Sequence, residues 1–273
     1  MEIGLFTSGY QRNPLEHCFE DAKRFGYDYI ELHGARPLAY APDLESGDIE
    51  KLNKLIRDYK MPVLIYTPEH NAYPYNFMIG DEKQRKDAIK YLKTCLRMTK
   101  AMGAKHMLIS VGHAGYLATH DQIWSRMTES VKELTLEAEK LNVNIMIEPL
   151  TPYESNSLTS ANDLLQLLNT IKSDNLYGMC DIVPPFVQFE SIIAYLEKLG
   201  DKMLHFHIID GEQGTDSHIM PGDGNIPLKE LMGEIKHYGY NKTATLELVT
   251  NYINEPRIYA KRAIDRLREL MGD

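Results

Sequence analysis

The sequence predicts a single-domain α/β chain folded as a (β/α)8 TIM barrel, on three observations. Short β-rich runs alternate with longer amphipathic stretches from one end of the chain to the other, eight times over. A glycine stands just ahead of several of these runs, where the left-handed conformation closes a helix. The repeat averages about 34 residues, enough for a strand, a right-handed crossover helix and their loops.

The first run, EIGLFTS at 2–8, is followed by no glycine-rich phosphate loop. That disfavours the alternative architecture, an open doubly wound sheet. YDYIELH at 27–33 comes directly after Gly26, and PVLIYTP at 62–68 ends on a proline that stops the ladder. A helical stretch at 81–102 leads through Gly103 to KHMLISVG at 105–112, and a second at 121–141 leads to NIMIEP at 144–149. YGMCDI at 177–182, MLHFHII at 203–209 behind Gly200, and TATLELV at 243–249 behind Gly239 complete the eight. No linker, low-complexity run or shift in composition divides the chain, so residues 1–273 are expected to form one domain.

With 273 residues, 43% hydrophobic and 25% charged, the chain has the composition of a soluble protein able to bury a full core. A net charge of −9 disfavours nucleic acid and anionic membranes as partners. The first residues, MEIGLFTSGYQR, lack the basic flank and cleavage site of a signal peptide, and no apolar window is long enough to span a bilayer. Cys18, Cys95 and Cys180 are odd in number and far apart, which suggests reduced thiols. A cytoplasmic protein is expected, with a homo-oligomer open to it.

Barrel enzymes build their sites at the carboxyl ends of the strands. Here those ends carry His33, Glu69, His113, Glu148, Asp181, His207 and Glu247. Singly, each is as well explained as a cap or a solvated turn; seven on one rim call for another reason. If Glu148, Asp181 and Glu247 converge, each pair about 4 Å apart repels by roughly 4 kcal/mol at an effective dielectric of 20. Protonation or a cation must relieve that. Three carboxylates with the His207 imidazole form a mostly oxygen set that suits manganese first, then magnesium, with cobalt or nickel tolerable, better than closed tetrahedral zinc. His205 shares the inward face of its strand with His207 but lies deeper, as a supporting or core residue. Phe6, Tyr66, Tyr73, Tyr75, Tyr116 and Tyr153 lie near the rim and are available to wall a substrate or to pack loops together.

Glutamate then proline on the fifth run, aspartate on the sixth, HFHIID on the seventh and LELV on the eighth resemble the xylose isomerase-like family of sugar isomerases and epimerases. The similarity spans the chain and includes FTSGYQR (6–12), YTPEHNAYPYN (66–76), SVGHAGYL (110–117), EPLTPYESN (148–156) and LVTNYINEPR (248–257). The resemblance implies one divalent metal held by Glu148, Asp181, His207 and Glu247, and epimerisation at C3 of a ketose. Glu148 and Glu247 would exchange the C3 proton from opposite faces, and Glu154, six residues after Glu148, would contact substrate. Phe6, Tyr66, His113 and His218 are further candidate substrate contacts. Two departures bear on the substrate: Pro184 stands where many ketose 3-epimerases carry histidine, and His218 where they carry arginine. Both favour an aminated ketose (a ketosamine) over a free hexulose. The competing functions are another sugar or sugar-phosphate epimerase, an aldose–ketose isomerase, an endonuclease IV-like phosphodiesterase with three zinc ions, and a metal-free binding barrel.

Overall fold

Side chains alternate faces along a strand, so closing eight strands into a ring sends every second residue into one shared interior. The computed structural model describes residues 1–272, apart from the side chain of Thr250. Its strands are β1 Glu2–Phe6, β2 Tyr29–Gly34, β3 Val63–Pro68, β4 His106–Ser110, β5 Asn144–Glu148, β6 Leu176–Asp181, β7 Met203–His207 and β8 Thr243–Leu246. Neighbours pair in parallel, and β1 pairs with β8 from Glu2↔Thr243 to Leu5↔Leu246. The sheet is therefore a closed barrel and not an open doubly wound sheet.

One helix of the outer ring follows each strand: α1 Leu15–Phe25, α2 Ile49–Tyr59, α3 Glu82–Ala101, α4 His120–Leu141, α5 Ala161–Ile171, α6 Ile193–Leu199, α7 Leu228–His237 and α8 Pro256–Met271; short helical segments at Ala41–Asp43 and Val183–Val187 precede α2 and α6. Gly26 closes α1 in the left-handed conformation at φ +80°, as its position before YDYIELH predicts. Lys60, Asn142 and Lys172 close α2, α4 and α5 in the same way without being glycine. All the strands but β6 are shorter than their β-rich runs. β1 gives way to a 3-10 turn at Thr7–Tyr10, β7 stops at His207, and β8 stops at Leu246, so Glu247 is the first residue beyond its ladder.

The outward faces of the strands and the inner faces of the helices share one large apolar core. Tyr29, Ile65, Leu108, Met146 and Met179 form a separate cluster inside the barrel. Gly4 leaves room for this plug, since a Cβ there would stand 2.3 Å from the Tyr29 ring. Two residues further along the same strands come Glu31, Thr67, Ser110, Glu148 and Asp181, so the alternation that seals one end of the interior lines the other with polar groups. Among the described residues no helix is long and apolar enough to cross a membrane.

Candidate active site

Glu148 ends β5, Asp181 ends β6, His207 ends β7, and Glu247 follows β8. One ligand atom from each lies within 4.8 Å of all the others. The convergence expected from the topology is present. His207 Nδ1 is 2.9 Å from Glu247 Oε2 and 3.3 Å from Glu148 Oε1. Yet both Nδ1 and Oε2 are buried without a hydrogen-bond partner, so the close approach lacks hydrogen-bond alignment. Ligands about 2.0–2.2 Å from one ion stand about 3–4.4 Å apart, so this crowding of orphaned donor atoms fits a divalent cation. Asp181 is anchored beside them. Its Oδ1 accepts from the Val183 N–H at 2.8 Å and its Oδ2 lies 3.0 Å from His218 Nε2.

Without a cation, protons carry the balance. Burial pushes the Glu148 carboxyl up to about 7 even though His207 favours its ionised form. For His207 burial works against the charge, but Glu247 and Glu31 outweigh it and hold the imidazole well above its usual range. His218 behaves likewise, pushed up to about 10 against burial by Asp181. Burial also opposes ionisation of Asp181, yet the His218 charge holds it below the ordinary carboxyl value.

Glu31, which sequence reasoning did not single out, lies beneath the cluster. It is fully buried on β2, with Oε1 3.1 Å from His207 Nε2 and Oε2 3.1 Å from His205 Nε2. The available signal was a charge in the middle of the buried run YIELH, at the inward phase with Tyr29 and His33. His205 lies one inward position deeper than His207, as its spacing predicts, and burial keeps its imidazole below the usual range.

Above the cluster opens a cavity of about 520 Å³. Phe6, Glu154 and His218 line it, as expected, and so do Glu69 and Pro184. Phe6 stacks on the His207 ring at 5.8 Å between centroids. Glu154 Oε2 accepts from the Thr151 hydroxyl at 3.0 Å, and its carboxyl is pushed up to about 7 by burial and by Asp216. Two expected contacts are corrected. Tyr66 is fully buried on the outward face of β3, one residue out of phase with Ile65 and Thr67, and its hydroxyl donates to the Ala39 carbonyl at 2.8 Å. His113 lies three residues past β4, where its Nδ1 accepts from the Gly115 N–H at 2.9 Å and its ring meets Tyr116 edge-on, outside the cavity lining. Tyr75 stacks on Tyr91 at 3.8 Å, while Tyr73, Tyr116 and Tyr153 are exposed. His70 and Asp216, not anticipated, also line the cavity, and among the described residues no lysine or arginine stands in its wall.

The chain is 48% identical over 273 residues to fructoselysine 3-epimerase of Shigella flexneri, covering 100% of this chain and 99% of that one. Among solved structures, D-allulose 3-epimerase from Methylomonas sp. in complex with D-allulose superposes with a TM-score of 0.82 at 16% identity, covering 98% of this chain and 96% of that one. IOLI protein with a bound zinc atom gives 0.82 at 19% identity over 100% and 98%. The xylose isomerase-like TIM barrel family matches residues 19–270. At 48% identity over its whole length to an epimerase the chain is an enzyme of that type, and it belongs to the xylose isomerase-like TIM barrel family.

Proposed function

We propose that the chain is a divalent-metal-dependent ketose 3-epimerase that interconverts fructoselysine and its C3 epimer. The observation that carries this is the convergence of Glu148 and Glu247, from strands on different sides of the ring, upon His207 Nδ1. Glu148, Asp181, His207 and Glu247 would hold a divalent ion, manganese in this reading, which when bound would supply Lewis acidity toward the ketose carbonyl. Glu148 and Glu247 each have a carboxylate oxygen at that centre, so one takes the C3 proton and the other returns one to the opposite face. Inversion requires two such groups. Phe6 covers His207 and turns an apolar face to the sugar.

The cavity wall supports the choice of substrate. Glu69, Glu154 and Asp216 line it in addition to three of the proposed ligands, Glu148, Asp181 and Glu247, and among the described residues no lysine or arginine does. A wall that remains anionic after a divalent ion is added repels a phosphate and attracts an ammonium group, which favours a ketosamine over a sugar phosphate. It equally disfavours a phosphodiester, and with it the endonuclease IV-like reading. The relative named for fructoselysine agrees with a substrate that carries an amine. Cys18, Cys95 and Cys180 are free and buried, which suits the reducing cytoplasm we propose as its location.

Incubation with fructoselysine and manganese in deuterium oxide, followed by NMR, tests the assignment. Deuterium should enter at C3 of both epimers. Exchange confined to C1 would make the enzyme an aldose–ketose isomerase instead.

A further inference from the structure

A fully buried carboxylate costs several kcal/mol of desolvation unless its surroundings compensate. Glu31 is such a group, and it lies inside the barrel where an apolar side chain would continue the plug formed by Tyr29 and Ile65. Its surroundings are specific. The Thr67 hydroxyl donates to Oε1 at 2.7 Å, and His207 Nε2 meets the same oxygen at 3.1 Å. His205 Nε2 meets Oε2 at 3.1 Å, and the far side of that ring, Nδ1, lies 2.9 Å from the Thr243 hydroxyl. Two strands besides its own, β3 and β7, thus hold the carboxylate, and Thr243 of β8 steadies the His205 ring beside it.

An ionised carboxylate only accepts hydrogen bonds, so the nitrogens facing it carry the hydrogens. On His207 this fixes a hydrogen at Nε2, so that when the ring is neutral, as a metal-bound imidazole must be, its lone pair is on Nδ1, on the opposite side of the ring and facing Glu148 and Glu247. A neutral imidazole with the other tautomer would present a hydrogen to the cluster and no electrons. The carboxylate also increases the electron density at Nδ1, as carboxylates behind metal-bound histidines do.

We propose that Glu31 is a positioning residue: with Thr67 and His205 it holds His207 as the Nε2–H tautomer, with Nδ1 directed at the divalent ion. The proposal rests on the metal reading of the Glu148–Asp181–His207–Glu247 cluster.

Glu31→Gln keeps the volume and removes the charge. Titration calorimetry with Mn²⁺ should give one site per chain in the wild type and a Kd weakened about 10–100-fold in the variant, with the circular dichroism spectrum unchanged. A Kd within threefold of wild type would overturn the proposal. Should that variant fail to fold, the wild type itself decides. In the zinc-loaded enzyme, long-range ¹H–¹⁵N spectra should show His207 protonated at Nε2 and bound through Nδ1. The reverse tautomer would overturn the role of Glu31 and leave the metal site standing. A wild-type chain that binds no Mn²⁺ would overturn the metal reading and this proposal with it.

Discussion

Glu148 and Glu247 occupy equivalent places on different strands, yet their surroundings differ. Glu148 is the last residue of its ladder and is followed by Pro149, which cannot donate a further ladder bond, while Glu247 already lies beyond β8. If both exchange the C3 proton, removing one should separate two events that normally occur together. Glu247→Gln should lower epimer turnover by at least about 10²-fold, the lower bound for a lost acid–base group. One epimer should still exchange its C3 hydrogen with deuterium oxide through Glu148. Near-normal turnover in this variant would sink the two-base assignment. Among single residues, Glu148, Asp181, His207 and Glu247 were legible because each stands within two residues of the end of a β-rich run. Tyr66 was misplaced by a one-residue phase: at period two, residue 66 faces the helices and residue 67 the interior. Glu31 escaped notice because no local motif joins it to His205 and His207, which are more than 170 residues away.

Helices α3, α4 and α5 begin with the same reciprocal cap, in Asp81–Gln84, Thr119–Gln122 and Ser160–Asp163. At α3, Asp81 accepts from the Gln84 N–H at 2.9 Å while Gln84 Oε1 accepts from the Asp81 N–H at 2.8 Å. The cap ends the long loop after β3, and Arg126 of α4 fastens that loop through the carbonyls of Phe77, Ile79 and Asp81. Asp81→Ala should cost about 1 kcal/mol in urea unfolding, the usual value of an N-cap. Because Asp81 does not line the cavity, kcat and KM should stay within twofold of wild type. A loss of activity without a loss of stability would mean that the loop, and not the helix, is what the cap serves. At this scale the two helices bounded from the sequence, at 81–102 and 121–141, were legible to within a residue, since cap chemistry and amphipathic period agree. The ends of β1, β4, β7 and β8 were not. A β-rich run continues past its ladder wherever the neighbouring strand has already turned away, as Leu248 and Val249 do after β8.

For the whole molecule, the acidic cluster couples stability, metal and pH. In the metal-free chain His218 is raised from 6.5 to about 10 and Glu148 from 4.5 to about 7. Both folded values exceed the unfolded ones, so each contributes stability that is present at low pH. The Glu148 contribution fades between pH 4.5 and about 7, and that of His218 between 6.5 and about 10. Metal binding has the opposite dependence, because its ligands must be deprotonated. The gain in Tm on adding Mn²⁺ should therefore grow as pH rises through about 7, where Glu148 ionises. Scanning calorimetry with and without Mn²⁺ across that range measures it, and a gain independent of pH would contradict ligation by Glu148. At 100 times its Kd the ion should add about 2.7 kcal/mol.

Much of this was decided by the chain order alone. Eight alternations of two local patterns admit few closed arrangements, and closure sends the strand ends to one rim, so the barrel and its four candidate ligands follow from the sequence. Only the folded structure decides what lies between distant strands. It sets Glu31 behind His207, turns Tyr66 and His113 away from the cavity, and leaves Nδ1 and Oε2 crowded together without a hydrogen bond. Periodicity specifies which face a side chain takes, whereas its partners across the barrel depend on register between strands far apart in the chain, and no local pattern encodes that.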